Sequence, residues 1–284
     1  MISVNSLSGG KTSSYISANY PADYNVFALV RTNDTNCLFP DSKIRQIVSD
    51  KIGTDFIGTL EEDTIIYTML DLEQFIGKKI DWVTGITFDE VVSGKYGGYL
   101  PTKMRRYCTT HMKMFPIFEW WRKVINEPVE MRIGFRANEM KRSNKTLERL
   151  NQNGLISMKT IIGHSKNGRN KWGDVEWQKP VFPLIQDVIF KDRIEEYWKD
   201  KPVRFAYMNN CVGCFHRNEI LLKHLSDKFP NKFDWFCKQE EGRKKQDTWR
   251  QSGHMTYQKI KEHKLQMGLF DDDFNDCDSG YCGL

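Results

Sequence analysis

No stretch of this 284-residue chain approaches the roughly eighteen consecutive apolar residues of a membrane-spanning helix, so a bilayer protein is not expected. The N-terminus also lacks a basic segment followed by an apolar one. That absence argues against a secretory leader and for a soluble, cytoplasmic protein without a membrane partner. No internal repeat is evident. Neither sign of charge dominates: the net value is +5, which permits an anionic ligand or nucleic acid without demanding either. A disulfide framework is not expected from seven cysteines, an odd count in a chain with no export signal. Reduced thiols, metal ligands or redox residues fit better. What is present is 39% hydrophobic and 13% aromatic residues, ample for the core of one large domain.

The chain is organised around Ser6-Leu7-Ser8-Gly9-Gly10-Lys11-Thr12-Ser13-Ser14. The alternating residues before it read as a short strand, and the residues after it open a helix. Strand, glycine pair and helix start gather backbone N–H groups and a positive dipole end at one point, where an anion belongs. Lys11 and the hydroxyls of Ser8, Thr12 and Ser13 offer further donors. A Walker A loop would place its first glycine at position 5, where Asn5 stands, so the P-loop NTPase cradle is excluded.

Farther on, strands and helices alternate. Residues 24–30 read as a second strand, 55–60 as a third and 129–135 as another. Helices are expected over 42–52 (with a serine cap), 112–125 and 187–200. This pattern predicts an α/β fold, doubly wound around a mostly parallel sheet, with ligands beyond the carboxyl ends of the strands. Residues 163–173 read as a basic surface hairpin. The chain is expected to divide into an α/β domain carrying the Gly9-Gly10 loop (1–218), a helical extension (219–270) and an acidic, cysteine-containing tail (271–284). The run 238–250 reads as a solvated helical face.

Ser-Gly-Gly-Lys-Thr-Ser resembles the PP-loop of the adenine-nucleotide alpha-hydrolase-like superfamily, with Thr12 in place of the usual Asp. Further segments, in order, resemble the sulfonucleotide (phosphoadenosine phosphosulfate, PAPS) reductase family. They are Asp34-Thr35-Asn36-Cys37-Leu38-Phe39-Pro40, Tyr107-Cys108 through Pro116, Gly134-Phe135-Arg136 through Arg142, and Pro183-Leu184 through Cys211-Val212-Gly213-Cys214. Tyr281-Cys282-Gly283-Leu284 is similar to the tail that carries the family's attacking cysteine. The resemblance implies an adenine nucleotide (PAPS, adenosine phosphosulfate (APS) or ATP, with magnesium an option). Its holders would be Ser8, Gly9, Gly10, Lys11, Thr12, Ser13, Asp34, Phe39, Arg136 and Arg142. Cys282 would be the nucleophile and a thioredoxin-type dithiol the reductant.

Cys211-x-x-Cys214 has the spacing of a zinc, iron–sulfur or dithiol site. Cys108 is a third ligand by the resemblance, with a four-iron cluster ahead of zinc. Cys237, Cys277 and Cys282, with His111 and His216, are candidates to complete the set. A second reading is ATP-dependent thiolation of tRNA or DNA, and a third is a nucleotide-binding protein without chemistry.

Overall fold

The structure is a computed structural model that describes residues 1–93, 98–241, 243, 248–250 and 254–264. Its strands are β1 (Ser3–Leu7), β2 (Tyr24–Leu29), β3 (Asp81–Thr84), β4 (Val129–Arg132), β5 (Ile156–His164) and β6 (Asn170–Val181). They form a six-stranded sheet in the order β3-β2-β1-β4-β6-β5. Neighbours are parallel except β5 and β6, which form an antiparallel hairpin. The helices are α1 (Lys11–Asn19), α2 (Ser42–Ile52), α3 (Thr64–Ile76), α4 (Phe88–Ser93), α5 (Tyr107–Thr109) and α6 (Phe115–Val124). They continue with α7 (Met140–Leu147), α8 (Pro183–Gln186), α9 (Lys191–Trp198), α10 (Glu219–Lys228), α11 (Pro230–Glu240) and α12 (Tyr257–Glu262).

Side chains alternate across the strands and divide the core into two layers. Val4, Val26 and Ala28 face Ile117, Phe118 and Trp121 of α6. Leu7, Phe27 and Leu29 face the other way, onto Tyr15 and Ile16 of α1, Ile65 of α3 and Trp198 of α9. Helices therefore cover both faces, as a doubly wound α/β sheet requires. Cutting the wholly buried Phe118 back to Ala would cost about 3–5 kcal/mol. A third cluster joins α10, α11 and α12 to the chain beyond β2. Trp235, Phe236, Trp249 and Tyr257 pack with Val30, Phe88, Cys108 and Phe215. The helical extension is thus packed against the cysteine-bearing loops. Among the described residues no helix is long and apolar enough to cross a membrane.

Local expectations fail where tertiary contacts override them. Residues 55–60 form no strand; Gly58 makes isolated bridges to Thr32 and Leu38. The chains approach so closely there that a Cβ on Gly58 would lie 1.9 Å from the Cys37 carbonyl oxygen. The third strand is instead β3, only four residues long. Asp41 rather than Ser42 caps α2, accepting from the N–H groups of Lys43 (2.9 Å) and Ile44 (3.1 Å). The helix expected from 112 begins with a π-helical segment, Thr110–Met114, ahead of α6. The one expected over 187–200 is trimmed to α9, after Val188 takes a φ of 56°. In the run 238–250, the described residues include exposed Lys238 and Glu241 but end in buried ones. Trp249 is wholly buried, with its Nε1 donating to the Phe236 carbonyl (2.9 Å), and Arg250 pairs with Glu219 (2.8 Å).

Candidate nucleotide crevice and cysteine cavity

The sheet order reverses between β1 and β4, and a crevice opens beyond their carboxyl ends, where α/β sheets place ligands. Ser8, Gly10, Thr12 and Ser13 line one side; Gly134, Phe135 and Arg142 line the other. Gly10 is the N-cap of α1 and supplies no side-chain cap, so the first-turn N–H groups are left without a side-chain acceptor from that position. The Ser13 hydroxyl is occupied in shaping the loop. It accepts from the Ser8 N–H (3.1 Å) and donates to the Gly10 carbonyl (3.1 Å).

Both glycines are fixed by geometry. Gly9 has a φ of +80°, and a Cβ there would fall 2.5 Å from Ile65 Cγ2. A Cβ on Gly10 would fall 2.5 Å from the Asn209 amide nitrogen. The pair is therefore what lets α3 and the 209–214 loop close on the turn.

Lys11 is not among the crevice-lining residues. Its ammonium pairs with Glu195 of α9, while Trp198 Nε1 donates to the Lys11 carbonyl at 3.0 Å. The arginines also divide. Glu139 accepts from the Arg136 backbone N–H (2.9 Å) and Nε (3.1 Å) and pairs with Arg142. Arg136 is buried in that contact, whereas Arg142 lies over the Phe135 ring (4.2 Å to the centroid) and reaches the crevice. Asp34 and Phe39 do not line it. Asp34 caps its own turn, accepting from the Asn36 N–H at 2.8 Å, and Phe39 is wholly buried against Phe56 and Tyr67.

Cys108, Cys211, Cys214 and His216 border one small cavity with Val30, Phe88, Met112 and Phe236. Sequence positions about a hundred residues apart are thus brought to one apolar space. Burial, with the charges of Arg106 and Lys103, holds the His216 imidazole down to about 4, so it is neutral near pH 7. His111 faces elsewhere, onto Phe115 at 5.1 Å. Among the described residues no group of three or more His, Cys, Asp or Glu side chains is drawn together as a metal site. Cys37 and Cys237 are buried, and burial pushes each thiol up to about 12. Cys277 and Cys282 lie outside the described residues.

No protein-family model, curated protein or solved structure matches this chain.

Its site is therefore read from its own geometry. Lys113, on the π-helical segment, lines both the crevice and the cysteine cavity. Its ammonium bonds the buried Glu61 carboxylate at 2.9 Å. Asn209 and Asn210 line the crevice, and Cys211, next in sequence, lines the cavity. Sequence reasoning missed Lys113, Glu61 and the asparagine pair. Only the π-helical turn brings Lys113 between the two spaces, and no residue pattern announces it. Adjacency to Cys-x-x-Cys was the available signal for Asn209 and Asn210.

Proposed function

We propose that this chain is an enzyme of the sulfonucleotide reductase kind, holding an adenine (sulfo)nucleotide in the β1/β4 crevice and using cysteine chemistry on sulfur. One observation carries the reading. The crevice and the cysteine cavity share a wall, Lys113, and the 209–214 loop passes directly from one to the other. Phosphates would take the first-turn N–H groups of α1, the Ser8 and Thr12 hydroxyls and the Arg142 guanidinium, which suits bidentate binding of phosphate or sulfate. Lys11 joins them only on leaving Glu195.

In this reading the Cys282 thiolate attacks the sulfate sulfur. A sulfur–sulfur bond forms, the sulfur–oxygen bond to phosphate breaks, and the adenosine phosphate leaves as a stable anion. A dithiol of thioredoxin type then attacks the cysteine sulfur of the thiosulfonate, releasing sulfite. The free cysteine returns once the second thiol displaces it and closes the reductant's disulfide. The protein's part is alignment and charge neutralisation. The assay is sulfite release from PAPS and APS with a dithiol, comparing the intact chain with Cys282→Ser. Release that persists in the variant contradicts the role of Cys282, and no release from either nucleotide contradicts the reaction.

Cys108, Cys211 and Cys214 are the residues that would hold a four-iron cluster or zinc; they border one cavity, and a bound metal would have to draw them closer together. Anaerobic purification with iron, sulfide and zinc analysis tests this. A colourless protein lacking all three contradicts it.

A second reading, ATP-dependent thiolation of a nucleic acid, is favoured by the basic β5–β6 hairpin. It predicts AMP and pyrophosphate from ATP only when nucleic acid is added.

A further inference from the structure

A groove of about 770 Å3 lies beyond the Thr110–Met114 segment, separate from the crevice and the cysteine cavity. Trp82 of the edge strand β3, Phe115, Trp120 and Lys123 along α6, and Ile161 and Trp172 on the hairpin arm line it. Trp82 and Trp120 are themselves buried in its floor, so the aromatic surface open to solvent belongs to the arm. Trp172 is 57% exposed and Ile162, beside it on the arm, 51%.

The arm has a one-sided charge. From Lys159 to Trp172 it carries Lys159, Lys166, Arg169 and Lys171, with His164, and no acidic residue. None of the four cations joins a salt bridge among the described residues, although Asp174 stands opposite Lys159 in the strand register. The one carboxylate that lines the groove, Glu119, and two near it are already matched, while Asp174 sits at the base of the arm. Glu119 pairs with Arg122 (3.2 Å), Asp81 with Lys79 (2.7 Å) and Glu73 with Lys51 (2.6 Å). Lys123 on the groove wall adds another cation.

An exposed indole above an aromatic floor, flanked by a basic arm, is the combination that binds single strands. Phosphates take the cations, and unstacked bases take the aromatic faces. A duplex keeps its bases stacked and offers the floor nothing. An acidic peptide would satisfy the charge but leave the indole without a flat partner. We propose that a single-stranded nucleic acid lies along the hairpin arm with its bases in this groove. Phosphates would meet Lys166 and Arg169 at the tip of the arm, and a base would stack on Trp172. This goes beyond the nucleotide reading and does not depend on it, since binding here needs no turnover.

The test is fluorescence anisotropy of the full chain with a labelled single strand of about a dozen nucleotides, DNA and RNA in parallel, over a salt series. Duplex and polyglutamate serve as competitors. Saturable binding to one or both single strands, weakening steeply with salt and quenching tryptophan fluorescence, is expected. Trp172→Ala should weaken it by at least about tenfold. Lys166→Glu with Arg169→Glu should weaken it further and flatten the salt slope. Lys43→Glu, on the exposed start of α2, should leave it unchanged. All these positions are on the surface, and circular dichroism checks their folding. The proposal is overturned by no binding at low salt, by equal binding of duplex or polyglutamate, or by affinity that neither hairpin variant changes. A separate ATP or PAPS titration tells a failure of the groove from a failure of the crevice.

Discussion

At the scale of single residues, the competition for Lys11 is the most consequential feature of the loop. An ammonium at this position reads from sequence as a phosphate ligand, yet Glu195 holds it outside the crevice. The pair is partly exposed, so the bond is a bias and not a lock. Glu195→Gln should therefore tighten nucleotide binding by a few-fold, as the lysine is freed to swing in; calorimetric titration of the variant reads this directly. An unchanged affinity would show that Lys11 never reaches the phosphates. The buried thiols give a second prediction. Cys37 and Cys237, each pushed up to about 12 by burial, should resist alkylation in the native protein near pH 8 and react on unfolding, as peptide mapping would show. Their raised native values also fix a sign. Above pH about 9 the unfolded thiols lose protons that the folded ones keep, so stability is full below that pH and falls as pH rises toward about 12. A melting temperature that rises through this window would contradict the assignment.

At the scale of elements, the Gly9-Gly10 turn and the π-helical segment do the positioning. Gly9→Ala would put a Cβ on a left-handed residue and into Ile65, costing at least about 1–2 kcal/mol, which thermal denaturation would register. A melting point unchanged by this substitution would mean that α3 does not close on the turn as described. The loop is legible in the sequence because strand, glycine pair and helix start are contiguous. The hairpin is legible too, because its turn is marked by glycines and basic residues. The short β3 is not: four residues carry too little alternation to register. The π-helical turn is hidden for a different reason. One extra residue in a helix leaves the apolar pattern readable but rotates the later turns, and Lys113 lands between two cavities that the pattern cannot see. Asp34 and Phe39 show the reverse case, since their motif-like segment reads as ligand-binding while Asp34 caps a turn and Phe39 fills the core.

At the scale of the whole molecule, the sheet, the cysteine loops and the C-terminal helices act together. α10, α11 and α12 cover Phe88, Cys108 and Phe215, so a chain ending at residue 218 would expose a large apolar surface. Such a truncation should be insoluble or bind a hydrophobic dye strongly. A soluble, cooperatively melting fragment would show the extension to be separable. The cysteine convergence needs this packing: Cys108 and the Cys211–Cys214 pair can be matched in sequence only through a resemblance, whereas the fold brings them to one cavity. Around the π-helical segment, the molecule arranges the β1/β4 crevice, a thiol-lined cavity and an aromatic groove.

The central claim is that the β1/β4 crevice is an adenine-nucleotide site. Equilibrium titration of the full chain with PAPS and ATP, compared with Arg142→Ala, tests it most directly. The account predicts saturable binding of one nucleotide per chain, weakened by about tenfold or more when the charge-assisted contact is removed. Failure of both nucleotides to bind, or binding that ignores Arg142, would contradict it.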